Sequence, residues 1–92
     1  MQLNELEAII RDRQQNPKSD SYTNKLLSKG IGKIAQKVGE EATEVVVAAL
    51  SQGREEQIAE LSDLFYHTLV LMVERGITLD DVGVELARRH QR

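Results

Sequence analysis

The 92-residue sequence contains no cysteine, and that absence removes disulfides, thiolate nucleophiles and zinc–thiolate sites together. It also fits a reducing compartment, so a cytoplasmic protein is expected. Long hydrophobic runs are missing too: no apolar stretch approaches the roughly 18 residues that span a bilayer. The segment from Met1 to Ile10 carries Glu5 and Glu7 and lacks a basic region ahead of an apolar one, so it does not read as a signal peptide. Nor does one sign of charge dominate. The formal net charge of −3 argues against a nucleic-acid partner or an anionic membrane surface. Proline occurs once, at Pro17, and no alternating strand pattern exceeds Val45-Val46-Val47, which lie inside a helical pattern.

What is present describes one small helical domain over residues 1–92. Hydrophobic residues make up 40%, a globular share that excludes wholesale disorder. Leu3, Leu6, Ile9 and Ile10 recur at helical spacing and predict a first helix over 3–15. The stretch Asn16-Pro17-Lys18-Ser19-Asp20-Ser21 is turn chemistry. A short helix over 23–28 should end at Gly30, and a long amphipathic one should run from Ile31 to about Leu50. Gly53 separates it from a second long helix over 54–75, which stops at Gly76. Thr78 with Asp81 three residues on reads as a capping box that opens a last helix. Gly39 inside a helix predicts a close backbone approach.

The charge is segregated. Residues 18–37 carry Lys18, Lys25, Lys29, Lys33 and Lys37 against Asp20 alone, whereas residues 38–67 carry Glu40, Glu41, Glu44, Glu55, Glu56, Glu60 and Asp63 against Arg54 alone. A lysine ladder running into an acidic block suggests a site that handles the cations and anions of a ligand side by side. Gly30-Ile31-Gly32-Lys33 lacks the glycine spacing, the following Ser/Thr and the preceding strand of a P-loop, which rejects that motif. A helix N-terminus beside Gly32 and Lys33 remains a phosphate-binding candidate.

Placing residues at about 100° per step around the third helix centres its apolar arc near Val38, Ala42, Val45 and Ala49. Glu41 falls inside that arc and Glu40 outside it. A buried carboxylate without a partner costs several kcal/mol, so Glu41 requires a cation. The fourth helix is apolar around most of its circumference, interrupted by a strip of Glu56, Glu60, Asp63, His67 and Glu74. Burial nearly all round is expected for it, with the acids facing a cleft. The pairs Glu41/Glu44 and Glu60/Asp63 on two antiparallel helices can converge four hard oxygen ligands, which describes Mg²⁺ or Mn²⁺ rather than zinc. Solvated salt-bridge ladders, with Lys37 and Glu41 one turn apart, are the competing reading. His67 reads as a partly buried structural residue, and Tyr22 and the lysines read equally as surface or substrate contacts.

These residues resemble the all-α, MazG-like nucleoside-triphosphate pyrophosphohydrolases, whose motif is E-E-x-x-E, a spacer, then E-x-x-D. The chain has Glu40-Glu41-Ala42-Thr43-Glu44, fifteen further residues, then Glu60-Leu61-Ser62-Asp63. Ser21-Tyr22-Thr23, Lys25-Leu26-Leu27, Gly30, Lys33 to Glu41, Asp63-Leu64-Phe65-Tyr66-His67 and the stretch from Val82 to Arg89 are similar to the phosphoribosyl-ATP pyrophosphohydrolase family within that group, which acts in histidine biosynthesis. Phe65 and Ser62 depart from the aliphatic residue and alanine common there, and neither is a ligand position.

The resemblance implies hydrolysis of phosphoribosyl-ATP to phosphoribosyl-AMP and pyrophosphate by water attack at the α-phosphorus. It implies Mg²⁺ held by Glu41, Glu44, Glu60 and Asp63, with Glu40 left to order or deprotonate the water. Lys33 and Lys37, with Lys25 and Lys29, are candidates for the leaving pyrophosphate, Tyr22 and Thr23 for further substrate contacts, and Arg88 and Arg89 for the ribose-linked phosphate. No fused cyclohydrolase segment is apparent, so the stand-alone form is expected. Another MazG-like enzyme acting on a free nucleoside triphosphate, or a non-catalytic helical dimerisation module, are the alternatives. A chain this small cannot bury a nearly all-apolar helix alone, and a homodimer that completes the bundle near the site is expected.

Overall fold

The computed structural model describes residues 1–91, and its regular structure is entirely helical among them, as expected. Helices α3 (Ile31–Ser51) and α4 (Arg54–Glu74) are 21 residues each, about 30 Å long. They fold back on one another across Gln52-Gly53 and form the antiparallel spine. Helix α1 (Leu3–Gln15) packs on α4, α2 (Tyr22–Ser28) fills the corner between α1 and the spine, and α5 (Leu79–Arg89) follows the turn at Gly76. No helix of the described residues is long and apolar enough to cross a membrane.

Local chemistry sets the boundaries. The Asn16 side chain donates to Asp12 at 2.9 Å as α1 gives way to Pro17. Ser21 Oγ accepts the Asn24 N–H and caps α2, which begins at Tyr22, one residue before the sequence-based expectation. Asn24 then ties the preceding turn down: its amide donates to the Arg13 carbonyl at 2.7 Å and its oxygen accepts the Lys18 N–H at 2.8 Å. Gly30, at φ 85°, takes a positive-φ conformation open to glycine, and with Lys29 it forms the two-residue link from α2 to α3. The expected capping box is present, with Thr78 Oγ1 accepting the Asp81 N–H at 3.0 Å and the Thr78 N–H donating to Asp81 at 2.9 Å.

The core is Ile10 of α1, Leu26 of α2, Ile34 of α3 and Leu69, Val70, Met72 and Val73 of α4. It therefore occupies one end of the spine, where α1 and α2 supply cover. The expectation that α4 is buried nearly all round is corrected: Ile58, Leu61 and Phe65 in its first half are exposed. So are Val46, Val47 and Leu50 on the adjoining half of α3. The buried line of α3 runs Ile34, Glu41, Ala48, two turns apart, and lies to one side of the predicted arc because only one flank of the arc is covered. Gly39 shows no close approach: a Cβ there would meet nothing within 4 Å. No residue of α5 is buried. The Cα radius of gyration is 14.5 Å, above the roughly 12 Å of a compact chain this long.

Candidate active site

Glu41 sits on the buried ridge of α3 and retains 6% of its accessible surface. Its Oε1 lies 3.5 Å from Lys37 Nζ, one helical turn earlier, so the cation it requires comes first from its own helix. Its Oε2 is buried and has no hydrogen-bond partner. Across the hairpin, Glu60 is half-buried on α4, and its Oε2 is likewise buried and unpartnered. Asp63, one turn beyond Glu60, is exposed at the mouth. One carboxylate oxygen from each of Glu41, Glu60 and Asp63 lies within 4.8 Å of the others.

Three carboxylates this close repel one another, and two buried oxygens without a donor carry a desolvation cost. A hard divalent cation fits this donor set: the oxygens are anionic, no sulfur is available, and the two orphaned atoms are the ones a cation would satisfy. Glu44 is exposed one turn past Glu41 and stands outside the three-residue cluster.

Glu40 is exposed beside the cluster. Gln36 Nε2 donates to it at 2.9 Å and Lys37 Nζ lies 3.7 Å away. The Gln36 hydrogen bond, with the charges of Lys37 and Lys33, holds its carboxyl below the usual glutamate value. Burial alone would lower the pKa of Lys37, but Tyr22, Glu41 and Glu40 outweigh it and hold the ammonium above its ordinary value. Lys37 is therefore a firmly charged cation between two acids.

Lys25, Lys29 and Lys33 are exposed. Tyr22 projects a ring that is 53% exposed, while its hydroxyl lies 3.1 Å from His67 Nε2. Thr23 turns inward, is buried and hydrogen-bonds the Tyr66 hydroxyl, a position that holds two helices together rather than presenting a substrate contact. Arg88 and Arg89 are both held by Glu85 of their own helix, at 3.0 and 2.9 Å from their Nε atoms.

His67 is buried, as a structural histidine should be, yet it stands next to the cluster: its Nδ1 lies 2.7 Å from the carbonyl oxygen of Asp63. A carbonyl only accepts, so Nδ1 carries the proton and Nε2 accepts the Tyr22 hydroxyl. Sequence reasoning missed this bridge. The spacing hint was the four residues from Asp63 to His67, and Tyr66 entered only as part of the stretch that resembles the family.

A family model described as phosphoribosyl-ATP pyrophosphohydrolase matches residues 3–90. The phosphoribosyl-ATP pyrophosphatase of Sulfurisphaera tokodaii is 58% identical over 87 residues, which are 95% of this chain and 93% of that protein. That of Metallosphaera sedula is 54% identical over 87 residues, again 95% of this chain and 94% of that protein. The chain is also 52% identical over 90 residues to the histidine biosynthesis bifunctional protein HisIE of Caldanaerobacter subterraneus, covering 98% of its own length. It spans less than half the length of such bifunctional relatives, 44% in that case and 40% for the HisIE of Oceanobacillus iheyensis. A family match across nearly all of an all-helical chain, with relatives above half identity along their own full lengths, leaves one conclusion: the chain belongs to the phosphoribosyl-ATP pyrophosphohydrolase family.

Proposed function

We propose that this chain hydrolyses phosphoribosyl-ATP to phosphoribosyl-AMP and pyrophosphate, in histidine biosynthesis, with Mg²⁺ or Mn²⁺ held at Glu41, Glu60 and Asp63 and with Glu44 as a further ligand. The observation that carries the reading is the convergence of three carboxylates with two buried, unpartnered oxygens on a family member's hairpin. When bound, the cation supplies charge neutralisation for the triphosphate and Lewis acidity for the attacking water.

The remaining chemistry belongs to the side chains. Hydrolysis forms a bond between a water oxygen and the α-phosphorus and breaks the bridge from that phosphorus to the leaving pyrophosphate. Glu40 faces solvent next to Glu41 of the cluster, and the Gln36 hydrogen bond with the charges of Lys37 and Lys33 favours its ionised form. A solvent-facing carboxylate in that place serves to order or deprotonate the attacking water, and Glu40 is assigned that role. Lys37 and Lys33, with Lys25 and Lys29, neutralise charge building on the pyrophosphate, a preorganised electrostatic role. Arg88 and Arg89, presented by Glu85, are assigned to the ribose-linked phosphate. A cytoplasmic setting agrees with the absence of cysteine.

We further propose a homodimer. Val46, Val47, Leu50, Ile58, Leu61 and Phe65 form an apolar end of the spine that a second copy would cover, and Leu50 is 82% exposed. Light scattering at micromolar concentration is expected to give twice the chain mass, and a monomer would contradict it.

The deciding experiment measures pyrophosphate release from phosphoribosyl-ATP with Mg²⁺, with chelator, and with Mg²⁺ restored, beside a panel of free nucleoside triphosphates. Mg²⁺-dependent release from phosphoribosyl-ATP alone supports the assignment. Release from the panel instead points to another nucleotide substrate, and release from neither overturns the enzymatic reading.

A further inference from the structure

We infer that Tyr22 is a positioning residue which, through His67, clamps α2 onto α4 and so fixes where that helix holds its lysines relative to the carboxylate site. This rests on the proposed function for the identity of the ligand but not for the clamp itself.

Helix α2 has seven residues, too few to hold its shape or place unaided. Its polar attachment to α4 consists of two adjacent pairs, Tyr22 with His67 and Thr23 with Tyr66, so that successive residues of one helix meet successive residues of the other in reverse order. The three rings pack together: Tyr66 and His67 meet edge-on with centroids 5.1 Å apart, and Tyr22 lies 6.1 Å from each.

The histidine is oriented before Tyr22 arrives. Its Nδ1–H is committed to the Asp63 carbonyl at 2.7 Å, one turn back on α4, which leaves the Nε2 lone pair directed at α2. A phenol has a single proton, and Tyr22 donates it to that nitrogen at 3.1 Å. The hydroxyl is thus not a free donor for a phosphate oxygen. The clamp grips α4 one turn from Asp63, a member of the carboxylate cluster.

What the clamp orients follows from helical spacing. Tyr22 and Lys25 stand three residues apart on one side of α2, and Lys29 follows as its C-cap residue, while Thr23 and Leu26 are buried. Helix α2 packs against both α3 and α4, the two helices that carry the carboxylates. Pinning Tyr22 therefore sets the direction of Lys25 and Lys29 relative to Lys37 and Glu41. Released, α2 would keep its lysines but not their aim, and preorganisation of the phosphate-binding charge would be lost.

Tyr22→Phe tests this, since it keeps the ring and deletes the one donor. Expected results are a KM for phosphoribosyl-ATP raised about fivefold to tenfold with kcat within about twofold. Amide hydrogen exchange across residues 22–29 should accelerate while the core of α3 and α4 and the Mg²⁺-dependent rise in Tm stay unchanged. His67→Phe should give the same phenotype, and the double variant no more than either single one. If wild type proves unable to turn over phosphoribosyl-ATP, the affinity for inorganic pyrophosphate with Mg²⁺ replaces KM, so a failed activity is told apart from a failed clamp. Raised KM with unaltered α2 exchange would make Tyr22 a direct substrate contact and overturn the proposal. Faster exchange with unaltered ligand affinity would reduce the clamp to a fold contact and overturn it equally.

Discussion

The buried side chain of Glu7 accepts the backbone N–H of Leu79 at 2.7 Å, joining the first helix to the first residue of the last one across 72 positions of sequence. The N–H groups of a helix's first turn lack partners within the helix. Thr78 satisfies that of Asp81, and Glu7 satisfies that of Leu79 from outside while placing a negative charge at the positive end of α5. Arg11, 3.4 Å away on the same face of α1, balances the carboxylate. Glu7→Ala is expected to cost about 1–3 kcal/mol in urea unfolding, whereas Glu7→Gln, which keeps an acceptor, costs less. Faster amide exchange at residues 79–82 than in α4 would locate the loss; equal stability of both variants would show that the bond contributes nothing.

Glu41→Gln, Glu60→Gln and Asp63→Asn should each abolish the Mg²⁺-dependent rise in Tm and lower pyrophosphate release by about two orders of magnitude or more. Helicity by circular dichroism should persist, because none of the three side chains belongs to the apolar core. Glu44→Gln, outside the cluster in the single chain, should lose less metal affinity than Glu41→Gln. Metal titrations of the four variants rank the ligands directly.

Lys37 neutralises the same carboxylate that a cation would use, so the two compete for Glu41. Lys37→Met should destabilise the metal-free protein by about 1–3 kcal/mol, below the range for fully buried pairs because the Lys37 side chain keeps 27% of its surface exposed. The same variant should bind Mg²⁺ more tightly, with a larger Mg²⁺-dependent gain in Tm, while KM for a polyphosphate substrate rises. Weaker Mg²⁺ binding would mean that Lys37 orients Glu41 rather than competing for it.

Hydrogen bonds from Arg88 and Arg89 hold the Glu85 carboxyl below its ordinary 4.5, and the Gln36 hydrogen bond does the same for Glu40. A lowered folded-state pKa stabilises the native chain above the unfolded value, and that contribution disappears as pH falls through the folded value. Helical signal from the end of α5 should thus decline on acidification below about pH 4.5, and less steeply in Glu85→Gln. For Lys37 the sign reverses: its raised pKa gives stability below 10.5 that is lost as pH rises through the folded value. Thermal melts across the acid range check the first, and identical slopes for wild type and Glu85→Gln would refute it.

Much of this molecule is legible along the chain because its signals are local. Pro17, Gly30, Gly53 and Gly76 punctuate the helices, the first four of which start and stop within a residue of where the sequence puts them, and Thr78 and Asp81 cap the start of the last one. The division of labour between Glu40 and Glu41 is local as well, since a step of about 100° decides which of two neighbours faces the helical partner.

Other features depend on distance in space. Helical periodicity says which residues are apolar, not which flank a neighbour covers, so the exposed half of α4 and the shift of the buried line to Ile34, Glu41 and Ala48 appear only once α1 and α2 are seen to pack at one end. Tyr22 and Thr23 look alike in sequence as polar residues before a lysine ladder; packing turns one toward His67 and the other toward Tyr66. By itself the sequence determined the helices, their ends and the identity of the acidic residues, because backbone hydrogen bonding and side-chain spacing act over a few positions. Only the tertiary structure decided that Glu41, Glu60 and Asp63 meet within 4.8 Å and that Glu7 reaches Leu79, because the free energy of those arrangements lies in charges and hydrogen bonds between segments that only the packed bundle brings together.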